Sequence, residues 1–512
     1  MLEYYLYGGG FRLGQVIIYS SLWLVIGFLI AGIFRHLMGP AKVRKLFGDG
    51  TRRGILLGWL IGMLLPVCSL GVIPIVRELH RSKVKGGTII AFGLTAPLFN
   101  PMSILYGLTL SDPIAILSFS LCALVIVSLL GILWDRFFPN AGIEELEEKM
   151  PVPGIRRIAA VFYSVGRDAT GASTAYIIVG ILCSVLVAIS FQKGNLQHAV
   201  DRDNVMAPIT VAAVALPIYS TPLLAMSQIG GMFQHGNSIG AAFSLLILGA
   251  GANIGLLAWF AVTYGWGRTL KFIALLAATT IGLAYVIDKP LYPKGVDPAG
   301  HTHAFDVYTH PFQTSESNLA TVWQTKLGEF WESNEFGGTW LLGGIMLFGI
   351  LVRCGGKTRI ESWLFSDSPK KDNTYDIDVP GWVLGSTAVS GLVAASVVGC
   401  YMYYPAPEDL LPDMFANNTN CVIAAKNKKW ETAEKLIPFA DDLSRRLEVG
   451  VFLRNGSVDE FKTAKAKTYR EKLDKLKELV EERESHNIEK LAMEVSDSYR
   501  RMSSAFKEEE QE

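Results

Sequence analysis

The sequence predicts an all-α integral membrane protein built on an inverted-topology repeat, with two re-entrant helical hairpins, about eight full spans and a small C-terminal helical domain. Its 512 residues are 50% hydrophobic and 18% charged, and the mean hydropathy is +0.31, which is too apolar for a soluble protein of this length. Two long apolar runs are interrupted by proline and glycine. Lys and Arg cluster in alternate loops, which assigns those loops to the two sides of a membrane.

Uncharged runs of roughly 20 residues, the length that crosses a bilayer core, mark the predicted spans. They lie near residues 16–34, 86–110, 113–134, 174–191, 237–262, 268–287, 338–352 and 381–403. We interpret the first as a retained span, because the N-terminus has neither an early cation cluster nor a small-residue cleavage site before it. The spans contain almost no ionisable residue, so the sequence names no proton relay.

The run 54–76, GILLGWLIGMLLPVCSLGVIPIV, is the first of the two broken segments. It carries no charge, contains Pro66, Gly71 and Pro74, and has cations on both flanks. Under the positive-inside tendency both ends belong in the cytoplasm, which makes the run a re-entrant hairpin. Irregular backbone at membrane depth is tolerated only where protein or a watery cavity satisfies it. We therefore expect PVCSLGVIP to line a site.

The cation pattern predicts the topology of the remaining segments. Residues 1–134 form the first membrane repeat, which consists of a span, the re-entrant hairpin 54–76, the broken span 86–110 and a further span. Residues 135–173 form a cytoplasmic linker. Residues 174–287 form the second, inverted repeat, in which 205–229 re-enters from the far side. The acid-rich loop 288–337 is extracytoplasmic, and two additional spans follow within 338–403. Residues 404–512 form an extracytoplasmic charged helical domain, whose apolar residues, such as Leu473, Leu476 and Val480, fall at helical spacing.

The two halves share motifs. PVCSLGVIP corresponds to PIYSTP in the second half, which pairs Cys68 with Tyr219 and Ser69 with Ser220. Asn100 lies 34 positions after Pro66, and Asn253 lies 36 positions after Pro217. Inverted repeats with paired broken helices bind substrate at the midplane and work by alternating access. The predicted substrate-binding residues are Cys68, Ser69, Asn100, Tyr219, Ser220, Thr221 and Asn253.

Each of these residues also has a structural interpretation. A buried free cysteine is often an inert apolar filler. The hydroxyls of Ser69, Ser220 and Thr221 could satisfy freed backbone groups, and the two asparagines could brace the repeats. Gln228 and His235, near the second hairpin, are weaker candidates.

Several kinds of site are not expected. Lys+Arg and Asp+Glu both number 47, so there is no basic excess to suggest nucleic acid as a partner. The six cysteines show no CxxC pair and no zinc-finger spacing, and we predict neither a metal site nor a cofactor. His301, His303, Asp306 and His310 are residue types that bind zinc, but their spacing matches no known motif, and we expect a solvated loop.

At these motifs the chain resembles the bacterial predicted-permease family that includes YraQ-type proteins and the organoarsenical efflux permease ArsP. The resemblance covers residues 15–290 and rests on LLPVCSLGVIPIV, on GGTIIAFGLTAPLFNPMS and on their echo in the second half. In that family the first motif commonly reads P-x-C-S-C-G, and its cysteines are the implied ligands for trivalent arsenic. Leu70 stands here at the second cysteine position, so Cys122 or Cys183 would have to supply another thiolate.

The sequence therefore predicts a secondary permease of the bacterial inner membrane, not an enzyme. The predicted cargo is a small solute, with a metalloid or organometalloid compound as one candidate. The expected partners are the solute and the lipid bilayer, and a homo-oligomer is left open. One alternative is a membrane anchor or receptor for the C-terminal helical domain, although an anchor has no use for broken helices. The other is a cysteine-dependent membrane enzyme, although no histidine shares the break that contains Cys68.

Overall fold

A computed structural model describes residues 2–48, 50, 52–139, 155–293, 296, 302, 304–312, 320, 323–324, 336–365 and 380–507. The regular secondary structure in these ranges is helical throughout. The chain divides into two compact units. The first contains Met1–Ser103 and Ile114–Ala395, and the second contains Ile104–Pro113 and Ser396–Glu512.

Six of the described helices are long and apolar enough to cross a membrane: Leu2–Met38, Pro113–Phe137, Ala172–Ser190, Trp266–Leu291, Gly337–Gly355 and Trp382–Tyr403. A bent pair, Ile239–Gly251 and Ile254–Tyr264, would make a seventh span if its two halves, which meet at 58°, act together. This composition is that of an integral membrane protein. The predicted run 86–110 consists of two shorter helices, and the count of eight spans stays a prediction.

The first half of the membrane region, residues 2–137, begins with α1, Leu2–Ile33, which continues as a π-helix to Met38 and is followed by α2, Pro40–Leu46. Five more helices complete it: α3 (Arg53–Leu64), α4 (Val72–Arg81), α5 (Gly86–Thr95), α6 (Pro101–Leu110) and α7 (Pro113–Phe137). The chain is irregular at 65–71 and again at 96–100. Proline explains both breaks, because Pro66 lacks an N–H for helix hydrogen bonding and Pro101 suits a first helical position.

After α8, Ile155–Ala169, the second half begins with α9, Ala172–Ser190. It continues with α10 (Ala207–Ala215), α11 (Pro222–Gln234), α12 (Ile239–Ser244, extended as a π-helix to Gly251), α13 (Ile254–Tyr264) and α14 (Trp266–Asp288). Both halves thus have two helix pairs with an irregular break in each pair, followed by one long helix. The inverted orientation of the halves stays a prediction.

Small residues let the broken segments approach their neighbours closely. A Cβ on Gly58 of α3 would lie 2.9 Å from the carbonyl oxygen of Thr88 in α5, and one on Gly62 would lie 3.0 Å from the Ala96 nitrogen. On α1, a Cβ at Gly27 would lie 2.0 Å from the carbonyl oxygen of Gly71. Glycine is required at Gly27, because any side chain there would displace the first break.

The loop segment 304–312 is packed against the membrane helices, which corrects the expectation of a solvated histidine loop. His310 is buried and stacks on Tyr4 with ring centroids 3.5 Å apart. Its Nε2 lies 3.2 Å from the Tyr4 carbonyl oxygen, to which it can donate, and its Nδ1 accepts from the Phe312 N–H at 3.2 Å. His301 and His303 lie outside the described residues. Among the residues that are described, no three His, Cys, Asp or Glu side chains are grouped closely enough to hold a metal ion.

The last helices are α15 (Phe336–Leu351), α16 (Lys357–Phe365), α17 (Gly381–Tyr403), α18 (Pro407–Lys426), α19 (Trp430–Asn455), α20 (Glu460–Glu481) and α21 (Ile488–Lys507). The final four pack around an apolar core that includes Leu473 and Leu476. A buried ion pair between Glu448 and Arg470 joins α19 to α20. The side of the membrane on which this domain lies stays a prediction.

Candidate functional site

The first break contains Cys68 and Ser69, and both side chains are fully buried. Cys68 Sγ accepts a hydrogen bond from the Gly71 N–H at 3.3 Å, just before α4 begins. The side chain of Tyr219 in the second half lies beside the same thiol. Ser69 Oγ has no hydrogen-bond partner among the described residues.

Asn100 stands at the second break of the first half and forms a capping box with Ser103. Asn100 Oδ1 accepts from the Ser103 N–H at 2.8 Å, and Ser103 Oγ accepts from the Asn100 N–H at 2.9 Å. The side chain is fully buried, and its Nδ2 has no partner in the described part of the chain. Asn100 therefore holds the start of α6 with one end of its amide and leaves the other end available.

The third break is residues 216–221 of the second half, between α10 and α11. Thr221 caps α11, since its Oγ1 accepts from the Leu224 N–H at 3.2 Å. The Tyr219 N–H donates to Ser184 Oγ of α9 at 2.9 Å. Ser220 Oγ donates to the Thr221 carbonyl at 3.2 Å, so part of its polar capacity is used locally.

The fourth break, residues 252–253, lies between the π-helix that ends at Gly251 and α13. Asn253 caps the helix that follows this break, as Asn100 does at the second break. It is the N-cap of α13, and its Oδ1 accepts from the Gly255 N–H at 2.7 Å. Its side chain is fully buried, and its Nδ2 has no partner among the described residues. The pairing of the two asparagines in the sequence thus corresponds to a shared local role, namely capping the helix that follows a break.

The four breaks have one local design in common. At each of them a side chain accepts a hydrogen bond from a nearby backbone N–H. Asn100, Thr221 and Asn253 accept from N–H groups in the first turn of the next helix, whereas Cys68 accepts from the Gly71 N–H, one residue before α4 begins. Each helix N-terminus carries a partial positive charge from its unpaired N–H groups. The predicted residues were found in the sequence by their apolar surroundings, whereas the capping role of three of them is visible only in the structure.

Contacts bring the breaks together around α9. The first and third breaks meet through Cys68 and Tyr219. Asn253 Oδ1 and Leu70 Cδ2 lie 2.3 and 2.7 Å from the position that a Cβ of Gly180 would occupy. The second and fourth breaks are also close, since Leu98 Cδ2 lies 2.6 Å from the position that a Cβ of Gly251 would occupy. The four breaks therefore form one buried region within the first unit, although each asparagine Oδ1 binds its own helix.

Tyr308, in the loop segment 304–312, also reaches this region and was not predicted. Its hydroxyl donates to Gln228 Oε1 at 2.5 Å and lies 2.7 Å from Ser220 Oγ. Burial raises the pKa of Tyr308 above its ordinary value, so this group remains a donor. Gln228, a weaker sequence candidate, is thus connected to the third break. His235 lies at the end of α11 and is partly exposed.

Arg12 of α1 anchors the same loop and was also missed. Its guanidinium donates from Nε to the Thr309 carbonyl at 2.8 Å and from Nη2 to the Asp306 carbonyl at 2.7 Å. A cavity of about 20 Å³, large enough for about one water, lies between Arg12, Tyr219 and Tyr308. In the sequence, Arg12 was visible only as a cation near the start of an apolar helix. No sequence pattern indicated that Tyr308 would contact the third break.

On another part of the first unit, a buried ion-pair network joins α1, α4 and α8. Arg35 pairs with Glu78 at 2.8 Å and with Asp168 at 3.2 Å, and Arg81 lies 3.7 Å from Glu78. The sequence had placed these charges in loops or at span ends. Buried charges need such partners, because an unpaired one costs several kcal/mol in a low-dielectric environment.

Residues 13–289 match the ArsP_1 family model, whose description is "Predicted permease". An 88-residue stretch is 31% identical to the UPF0718 protein YcgR of Bacillus subtilis and covers 17% of this chain and 30% of that relative. A stretch of the same length and identity matches a Streptococcus mutans protein named "Putative two-component membrane permease complex subunit", of which it covers 29%. Less than a third of either relative is therefore aligned. No solved structure matches the chain.

Proposed function

Because the chain belongs to the ArsP_1 family of predicted permeases, we propose that this multi-pass cell-membrane permease moves a small solute through the buried region where its four helix breaks meet. The family description and the name of the Streptococcus mutans relative both refer to a permease, which favours a permease over the cysteine-dependent enzyme. An anchor for the C-terminal domain would require neither broken helices nor buried polar side chains among its membrane helices.

The observation that carries the proposal is a set of three fully buried polar atoms without a partner among the described residues. They are Ser69 Oγ, Asn100 Nδ2 and Asn253 Nδ2, and they lie at three of the four breaks. Leaving such a group unsatisfied costs about 1–3 kcal/mol, so native proteins rarely keep several of them without a reason. A polar solute that binds at the breaks would satisfy these atoms.

The equal succession of helices in the two halves supports alternating access. Each half supplies two breaks, and the Cys68–Tyr219 contact joins one half to the other. Rocking of one half against the other would separate such contacts and expose the region to one side at a time. This mechanism also explains why the breaks use capped helix ends, since these remain intact when the halves move.

Two classes of solute remain. A small polar solute is favoured by the free amide groups, whereas a metalloid or organometalloid compound is favoured by Cys68. Soft metalloids prefer several thiolates. The Cys68 thiol already accepts a hydrogen bond from the Gly71 N–H and lies beside Tyr219, and Leu70 occupies the position of a second cysteine. We therefore place the polar solute first.

The assembly of the permease is also a proposal. The Streptococcus mutans relative is named as a subunit of a two-component complex, so a second component would be consistent with the family. A homo-oligomer is the alternative arrangement.

The experiment replaces Asn100 and Asn253 by alanine, separately and together, and measures solute uptake into vesicles containing purified protein. Each single variant should transport poorly while reaching the membrane in normal amount. The double variant should be little worse than either, because groups that serve one site do not contribute independently. The control is Asn195→Ala, at an exposed position outside the breaks. Wild-type transport by either single variant would refute the proposal.

A further inference from the structure

The polar groups that the breaks leave available are hydrogen-bond donors. We propose that the transported solute carries an anionic oxygen group, such as a carboxylate or an inorganic oxyanion, which Asn100 Nδ2 and Asn253 Nδ2 bind. This inference rests on the proposed permease function and names the chemistry of the solute.

The orientation of both amides follows from their partners. An asparagine side chain has one acceptor oxygen and one donor nitrogen. The atoms that contact Asn100 and Asn253 at 2.8 and 2.7 Å are backbone N–H groups, which can only donate. The amide oxygen must therefore face the helix, and the NH2 group must be the free end. A flipped amide would place two donors against each other.

The helices that these residues cap add positive potential at the same place. The two helices, Pro101–Leu110 and Ile254–Tyr264, have 10 and 11 residues. Each N-terminus is equivalent to roughly half a positive charge. In transporters with broken helices, half-helix N-termini of this kind point at anionic substrate groups. The buried Nδ2 atoms, which have no partner among the described residues, are a separate observation from this dipole. As hydrogen-bond donors they too favour a negatively charged ligand.

A cationic solute would find no counter-charge here. The segments 54–76, 86–110, 205–229 and 239–264, which contain the four breaks, include no Asp or Glu. The charged side chain that shares a cavity with Tyr219 is the Arg12 guanidinium. A buried charge needs paired or hydrogen-bonded surroundings, which the donors supply to an anion and do not supply to a cation.

Asn100→Asp and Asn253→Asp test the inference without removing the caps. Asp caps helices about as well as Asn, because its carboxylate oxygen also accepts from the backbone N–H. It replaces the donor NH2 by a negatively charged acceptor, which should repel an anion. Asn100→Ser and Asn253→Ser serve as second variants, since serine also caps but is neutral and lacks the NH2 group. Thermal unfolding without solute reports whether each variant folds.

The binding assay compares probes of similar size and different charge on the purified full-length protein in detergent. Acetate, inorganic phosphate, acetamide and ethylamine are titrated while the unfolding temperature is measured. We expect acetate or phosphate to raise the wild-type unfolding temperature and to have no effect on the Asp variants. Ethylamine should not stabilise the wild type. Stabilisation by ethylamine, equal anion stabilisation of the Asp variants, or no stabilisation by either anion would overturn the inference.

Uptake of the same radiolabelled probes into vesicles separates this inference from the proposed function. If the Ala variants lose transport but the Asp variants keep it, the site is correct and the anionic solute is wrong. If the Ala variants transport like the wild type, the site itself is wrong, and the inference falls with it.

Discussion

Gly180→Ala should displace residues of the candidate site although Gly180 itself is not one of them. Gly180 of α9 packs against both the first and the fourth breaks. A Cβ at this position would lie 2.3 Å from Asn253 Oδ1 and 2.7 Å from Leu70 Cδ2. The Leu70 methyl group is the end of a flexible side chain and can turn away. The Asn253 amide is short and bound to the Gly255 N–H, so it can move only by giving up the cap of α13.

The expected loss of stability combines three effects. Alanine in a helix interior is favoured over glycine by about 0.5–1 kcal/mol. Loss of an N-cap costs about 1 kcal/mol, and an extra methyl group in a packed interior costs about 1–3 kcal/mol. The net destabilisation of Gly180→Ala should therefore be about 1–3 kcal/mol. Transport should fall as well, because the Asn253 amide leaves its position.

Gly282→Ala in α14 is the matched control, since no heavy atom lies within 4 Å of the position that its Cβ would occupy. The assay is thermal unfolding of both variants in detergent, followed by solute uptake into vesicles. Gly282→Ala should be as stable as the wild type or slightly more stable, and Gly180→Ala less stable and less active. The reasoning is refuted if the two variants are equally stable and equally active.

Two further predictions concern the thiol and the topology. If the solute is thiophilic, Cys68→Ser should abolish transport without unfolding the protein, because a hydroxyl is a poor soft ligand, and retained metalloid resistance in cells would exclude that class of solute. Single cysteines at Lys45 and Lys83 should label from the same, cytoplasmic side, with a cysteine at the exposed Met493 labelling from the opposite side. Labelling of the first two from opposite faces would contradict the re-entrant hairpin and the inverted repeat together.

The membrane class and the positions of the breaks follow from local chemistry, which is why they could be predicted. A bilayer-length apolar run is visible in any window of the sequence. Pro66 and Pro101 interrupt helices through their own missing N–H groups, whatever surrounds them. Asn100 and Asn253 stand out for a similar reason, since an amide in an apolar run needs a partner wherever the chain folds.

Other features depend on which distant segments meet, and only the tertiary structure decided them. Tyr308 lies 88 positions from Ser220, and Arg12 lies 297 positions from Thr309, so no local pattern could connect them. The burial of His310 has the same origin, because Tyr4, 306 residues away, covers it.

The sequence by itself determined that this chain is a membrane protein with paired broken helices and polar residues at the breaks. Those properties depend on proline stereochemistry and on the solvation of residues close together in the chain. The tertiary structure decided that Asn100 and Asn253 use their oxygens as caps and leave their NH2 groups free. The physical reason is that hydrogen bonding is directional, so which end of an amide remains available depends on where its neighbours lie.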